Sequence, residues 1–195
     1  MIISLTGFMG CGKSSVGRRL SELLCCSFMD LDDVIVERAG RSIPEIFSTD
    51  GEAVFRQMEH DALQDIIASA GRHSVLALGG GAVMQEECER MVHEGTVCIY
   101  LKASVETLLS HLEGEAAGRP LLNNTPVMLS EVPSVMLSEV PSVMSSEVET
   151  SPLRNRILEL MSLRSATYER TAHHIIETDG KAIEEVATEI IGLLS

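Results

Sequence analysis

The stretch "TGFMGCGKSS", residues 6 to 15, fits the pattern G-x-x-x-x-G-K-[ST], which holds the phosphates of a nucleotide. Gly7, Gly10 and Gly12 let the backbone turn its N–H groups inward, so that the loop and the start of the next helix surround the β- and γ-phosphates. Gly10, Cys11, Gly12, Lys13, Ser14 and Ser15 are thus the expected ATP contacts. Lys13 is placed to bridge the β- and γ-oxygens, and Ser14 to ligate Mg²⁺. A second set of oxygens stands in "FMDLDD", where Asp30 and Asp32 close an apolar run and can face one cleft. One of them reaches the metal and the other orients an acceptor hydroxyl. Helix capping by Asp32 or Asp33 ahead of "VIVERAG" is the competing use of these acids.

Such residues need a sheet edge to stand on, and the sequence supplies one. Short apolar runs alternate with amphipathic segments, the pattern of an α/β fold in which helices cover both faces of a parallel sheet. The five expected strands are "IISLT" (2 to 6), "SFMD" (27 to 30), "SVLAL" (74 to 78), "TVCIYL" (96 to 101) and "HHIIET" (173 to 178). After the glycine loop, Val16, Leu20, Leu23 and Leu24 have helical spacing. Ser42 and Glu45, with Pro44 between them, predict a capping box, and Asp50 is expected to cap a longer helix. In that helix Val54, Met58, Ala62 and Ile66 form the expected buried stripe, and a last helix is expected over about 181 to 194.

A chain of 195 residues reads as one domain, 1 to 195, able to bury roughly 70% of its unfolded surface without staples. Its net charge of −14 and 3% aromatic content argue against a nucleic-acid partner, which needs a basic face and stacking rings. Cys11, Cys25, Cys26, Cys88 and Cys98 form no C-x-x-C pair and are odd in number, so they read as thiols of a reducing compartment. No signal peptide or membrane-length apolar run is present, and the expectation is a cytoplasmic monomer without membrane contact. His173 and His174 are a poor metal pair, because adjacent strand residues point to opposite faces.

One segment stands apart. Residues 127 to 150 read "VMLSEVPSVMLSEVPSVMSSEVET", three near copies of an octad whose Pro133 and Pro141 would interrupt a helix. Eight residues match neither a heptad nor a solenoid period, so the segment reads as a low-complexity insertion. A partner-binding or regulatory insert is the other reading, because each copy carries apolar Val and Met.

Four further stretches, "FRQME" (55 to 59), "LGGGAV" (78 to 83), "GRPLL" (118 to 122) and "LRSATYERTA" (163 to 172), complete a pattern. With them the chain resembles the shikimate kinase family, from residue 1 to about 124 and again from about 153 onward, with the motifs in family order. The resemblance implies a three-layer α/β/α, nucleoside monophosphate kinase-like fold with a five-stranded parallel sheet. It also implies a lid at about 113 to 124 and transfer of the γ-phosphoryl group of ATP to the 3-hydroxyl of shikimate, a step of chorismate and aromatic amino acid biosynthesis.

Shikimate carries a carboxylate and three hydroxyls, which calls for fixed guanidinium groups and hydrogen-bond acceptors. By resemblance Arg56 and Arg164 clamp the carboxylate, Glu59 holds Arg56, and Gly79, Gly80 and Gly81 bring backbone N–H groups to the substrate. Asp32 orients the hydroxyl and accepts its proton, Asp30 supports Mg²⁺, and Arg119 swings over the phosphates with the lid. The sequence departs from the family in two places. Leu112 stands where many members carry an adenine-stacking arginine, and Ala166 where many carry proline. The alternatives are a gluconate or nucleoside monophosphate kinase of the same fold, or a non-catalytic nucleotide switch with the octads as partner site.

Overall fold

A computed structural model of the chain describes residues 1–69, 73–116 and 152–194. The octads and Arg119 lie outside the described residues. Five strands, β1 (Ile2–Thr6), β2 (Ser27–Asp30), β3 (Ser74–Ala77), β4 (Val97–Lys102) and β5 (His174–Glu177), form one sheet in the order β2-β3-β1-β4-β5. Every pairing is parallel: Ile3 pairs with Val75 and Val97, Phe28 with Val75, and Tyr100 with Ile175. β1 and β3 are buried along their whole length, as expected of central strands covered on both faces. Each strand lies within one residue of its expected place.

The connecting helices are α1 (Lys13–Leu23), α2 (Leu31–Ala39), α3 (Ile43–Thr49), α4 (Gly51–Ala68), α5 (Glu86–Gly95), α6 (Val105–Ala116), α7 (Pro152–Thr171) and α8 (Ile183–Leu194), with a 3₁₀ turn at Ala82–Met84 after β3. Two cores flank the sheet. On one face Ile3, Leu5, Ile99 and Leu101 meet Val16 and Leu20 of α1, Leu108 and Leu112 of α6, and Ile190 of α8. On the other, Ile2, Leu76 and Tyr100 meet Leu31 and Ile35 of α2, Phe55 and Leu63 of α4, and Val92 of α5. The helix α7 takes part in both, with Ile157 and Leu160 in the first core and Tyr168 in the second.

Three local expectations are corrected by packing. The buried stripe of α4 is Phe55, Glu59, Ala62, Leu63 and Ile66, so Val54 is exposed and Met58 only half-buried. An acid, Glu59, therefore occupies a core-facing position that a hydrophobic pattern does not count. Asp50 stands at the start of α4 but makes no side-chain cap, because its carboxylate pairs with Arg41. In α1, Leu23 is exposed while Val16 and Leu20 carry the packing. The α3 start is as expected: the Glu45 carboxylate accepts from the Ser42 backbone N–H at 2.8 Å and from its hydroxyl at 2.6 Å.

Candidate active site

The glycine loop runs from β1 into α1, and its shape depends on two glycines in particular. Gly7 has φ 141°, and a Cβ there would lie 2.6 Å from the Leu101 carbonyl oxygen, so the loop can rest on β4 only without a side chain. Gly12, the N-cap of α1, has φ 92°, which turns the chain into the helix at Lys13. The Lys13 ammonium then folds back over the loop, donating to Gly7 O at 3.0 Å and Phe8 O at 2.9 Å. Ser14 and Ser15 are both exposed at the helix start, whereas Cys11 is buried beneath the loop. Its thiol lies in the packing and its backbone belongs to the cradle.

Asp30 ends β2 and is tied on both sides. Its Oδ2 accepts from the Ser14 hydroxyl at 2.7 Å, and its Oδ1 accepts from the Asp32 backbone N–H at 3.2 Å. The cap of α2 is therefore Asp30 rather than Asp32 or Asp33. Asp32 is thus relieved of capping duty, and its carboxylate faces Gly79. Burial pushes the Asp32 carboxyl above the usual range and the charge of Asp30 adds to the rise, while Lys13 and Arg56 act against it.

From α4, Arg56 donates through Nη1 to Glu59 Oε2 at 2.7 Å and lies 3.6 Å from Glu52 through Nε. Glu59 is only 1% exposed, and burial raises its pKa, with Arg56 as the main opposing influence. This is the pairing expected from "FRQME". Arg164 of α7 is buried, and its charge reaches Glu59. Gly79 and Gly81 are needed for space. A Cβ on Gly79 would stand 2.9 Å from Asp32 Oδ1, and one on Gly81 would stand 2.8 Å from Arg56 Nη1. The close approach that the triplet permits is thus made by the protein's own charged side chains.

Lys13, Ser14, Asp30, Asp32, Arg56, Glu59 and Gly79–Gly81 are assembled at the carboxyl edge of β1, β2 and β3, where ligands bind in open α/β sheets. Leu112 is packed in the core with its Cγ 3.2 Å from the Cβ position of Gly10. The neighbouring His111 meets Gly10 O through Nδ1 at 2.8 Å. One participant carries no role in the sequence reading: Tyr168, whose buried hydroxyl donates to Gly80 O. Its signal was its place four residues after Arg164, on the same helix face. His173 stacks on His93 with ring centroids 4.6 Å apart and accepts from the Cys98 backbone N–H, which places it in a structural joint between α5, β4 and β5.

The chemistry available here is that of a phosphoryl transferase: an anion cradle with a lysine, two oxygen donors suited to a hard cation, and a carboxylate of raised proton affinity near the half-buried Arg56. A family model described as "Shikimate kinase" matches residues 9–195. Among curated relatives, the shikimate kinase of Geobacter sulfurreducens is 40% identical over 190 residues, covering 96% of this chain and 87% of the relative. A shikimate kinase of Thermus thermophilus is 37% identical over 189 residues, covering 97% of this chain and 87% of the relative. Among solved structures, the shikimate kinase from Acinetobacter baumannii in complex with shikimate is similar with a TM-score of 0.78 at 30% identity, over 99% of this chain and 92% of that one. No helix among the described residues is long and apolar enough to cross a membrane.

Proposed function

The chain belongs to the shikimate kinase family, and from that premise we propose that it transfers the γ-phosphoryl group of ATP to the 3-hydroxyl of shikimate, giving shikimate 3-phosphate and ADP. The observation that carries this reading is the place of the Asp32 carboxylate, which meets Gly79 together with Glu59 of the Arg56–Glu59 pair and lies within the influence of the Lys13 charge. A phosphate donor and a small carboxylate-bearing alcohol can then meet at one carboxylate. Five unpaired cysteines suit the reducing environment of the cytoplasm.

Phosphoryl transfer through a loose transition state asks the protein for alignment and charge. In this reading Lys13 exchanges its loop carbonyls for the β- and γ-oxygens. Arg56 and Arg164 hold the carboxylate of shikimate, and Glu59 fixes the Arg56 plane. Asp32 orients the 3-hydroxyl and takes its proton, a task suited to a carboxylate whose burial raises its proton affinity. Ser14 at the start of α1 and Asp30 at the end of β2, a hydroxyl and a carboxylate 2.7 Å apart, fit the few hard oxygen ligands that Mg²⁺ takes from a kinase. Bound there, Mg²⁺ would neutralise charge on the β- and γ-oxygens. Arg119 adds positive charge from the lid, by family resemblance.

The test is ADP release from Mg-ATP with shikimate, gluconate and nucleoside monophosphates as parallel acceptors. Release that depends on shikimate alone is expected. Shikimate-independent or absent release overturns the assignment.

A further inference from the structure

We propose that Tyr168 is a positioning residue for shikimate, aligning the Gly79–Gly81 turn with the carboxylate clamp of α7; this deepens the function proposed above and rests on it. The three glycines after β3 each have a carbonyl with a fixed partner. Gly79 O accepts from Ala82 N–H at 3.1 Å and Gly81 O from Met84 N–H at 3.0 Å, both within the 3₁₀ turn. Gly80 O is served from elsewhere, by the Tyr168 hydroxyl from 88 residues away in the chain.

The planar trans peptide turns that contact into control of a donor. The carbonyl of Gly80 and the N–H of Gly81 belong to one peptide unit and point in opposite directions. Holding Gly80 O against α7 therefore aims the Gly81 N–H away from α7. Glycine offers little backbone resistance to rotation of that peptide, so the direction depends on an outside anchor. Tyr168 is a firm one: it is 1% exposed, and its ring packs against Tyr100 with centroids 5.3 Å apart.

The anchor also joins the two halves of the acceptor site. Arg164 precedes Tyr168 by one helical turn on the same face and is itself buried. Gly80 lies against the phosphate loop, with its Cβ position 3.6 Å from Met9 N and 3.8 Å from Gly7 O. Gly81 leaves room for the Arg56 guanidinium. The tyrosine hydroxyl thus fixes the helix of one guanidinium relative to the loop that seats the other. Ala166 in the intervening turn puts no ring constraint on the backbone, so this hydroxyl supplies a constraint on α7 that the backbone does not.

The experiment compares the full chain with Tyr168→Phe and Tyr100→Phe, measuring shikimate-dependent ADP release and thermal unfolding. Both variants lose one buried hydroxyl of the same ring pair, so a purely structural role would affect them alike. Tyr168→Phe is expected to raise the KM for shikimate about tenfold while leaving the KM for ATP within about twofold, and Tyr100→Phe to leave both within about twofold. A Tyr168→Phe enzyme with unchanged shikimate KM, or with both KM values raised together, overturns the positioning role. In the wild-type chain, saturating shikimate should slow amide exchange of the Gly79–Ala82 segment, and unchanged exchange overturns the role even where the variant does not fold. A wild-type chain without shikimate-dependent release sinks the kinase reading itself, a result distinct from an active wild type with a normal variant.

Discussion

The carboxylates of Asp32 and Glu59 converge on Gly79, their Oδ1 and Oε1 lying 2.9 and 3.1 Å from where a Cβ on that glycine would stand. Two acids from different helices are thereby held next to the loop that follows β3. Burial raises the pKa of each, and the charge of Asp32 adds to the rise at Glu59. Gly79→Ala would press on both. The expected result is a loss of about 1–3 kcal/mol in stability from overpacking and a fall in shikimate-dependent turnover of about tenfold or more, since catalysis is sensitive to displacements of about 1 Å. Denaturant unfolding and steady-state kinetics of this variant check both.

Asp32 should trade stability for activity. Its pKa in the folded chain is raised above 3.8, so the folded state holds the proton more tightly than the unfolded one. Stability from this group is therefore greatest at low pH and declines as pH rises from 3.8 through the folded value. Asp32→Asn removes the penalty. At pH 7 its Tm should exceed that of the wild type, the gap closing below pH 3.8, while turnover drops about 100-fold. Thermal scans at the two pH values, beside the kinetics, decide it.

Arg56 serves both the fold and the proposed clamp, and the two roles can be separated. Arg56→Ala leaves Glu59 buried without its principal partner, an expected cost of about 3 kcal/mol, and weakens shikimate binding about tenfold or more. Adding Glu59→Gln removes the stranded charge. The double variant should recover most of the stability and none of the shikimate affinity, as read by denaturant unfolding and calorimetric titration.

His173 makes the chain acid-sensitive at a distance from the chemistry. Its pKa is lowered from 6.5, first by burial and then by His93 and His174, so its contribution is present above pH 6.5 and is lost as pH falls through the folded value. Protonation also spoils its acceptance from Cys98 N–H at 3.0 Å. Between pH 7 and pH 5 the Tm of the wild type should fall more steeply than that of His173→Asn, which keeps a neutral acceptor.

Deleting residues 127 to 150 should leave shikimate-dependent turnover within about threefold, because lengthening or shortening a chain connection changes its closure entropy only slowly. Turnover that appears only after deletion would mark the octads as inhibitory.

What the sequence revealed was what is local. The glycine loop and the capping box at Ser42 are fixed by neighbours within a few residues and stand where they were expected, while the cap of α2 falls on Asp30 rather than on Asp32 or Asp33. The errors arose where distant packing decides. Asp50 reads as a cap until Arg41 takes its carboxylate. Glu59 falls outside the apolar stripe expected of α4, yet it is buried where it pairs with Arg56 and meets Gly79, and Val54 is left outside. Tyr168 reads as one more aromatic on a helix, because nothing nearby in the chain signals a carbonyl 88 positions earlier.

The course of α7 has a mechanical consequence. Its first half is rooted on one side of the sheet through Ile157 and Leu160, its last turns on the other through Tyr168, and Arg164 rides between them. The helix behaves as an axle whose two bearings sit in separate layers. Any slip of one layer against the other turns the guanidinium, so an injury deep in either core, at Leu160 or at Val92, should be felt as altered grip on the acceptor before the protein unfolds.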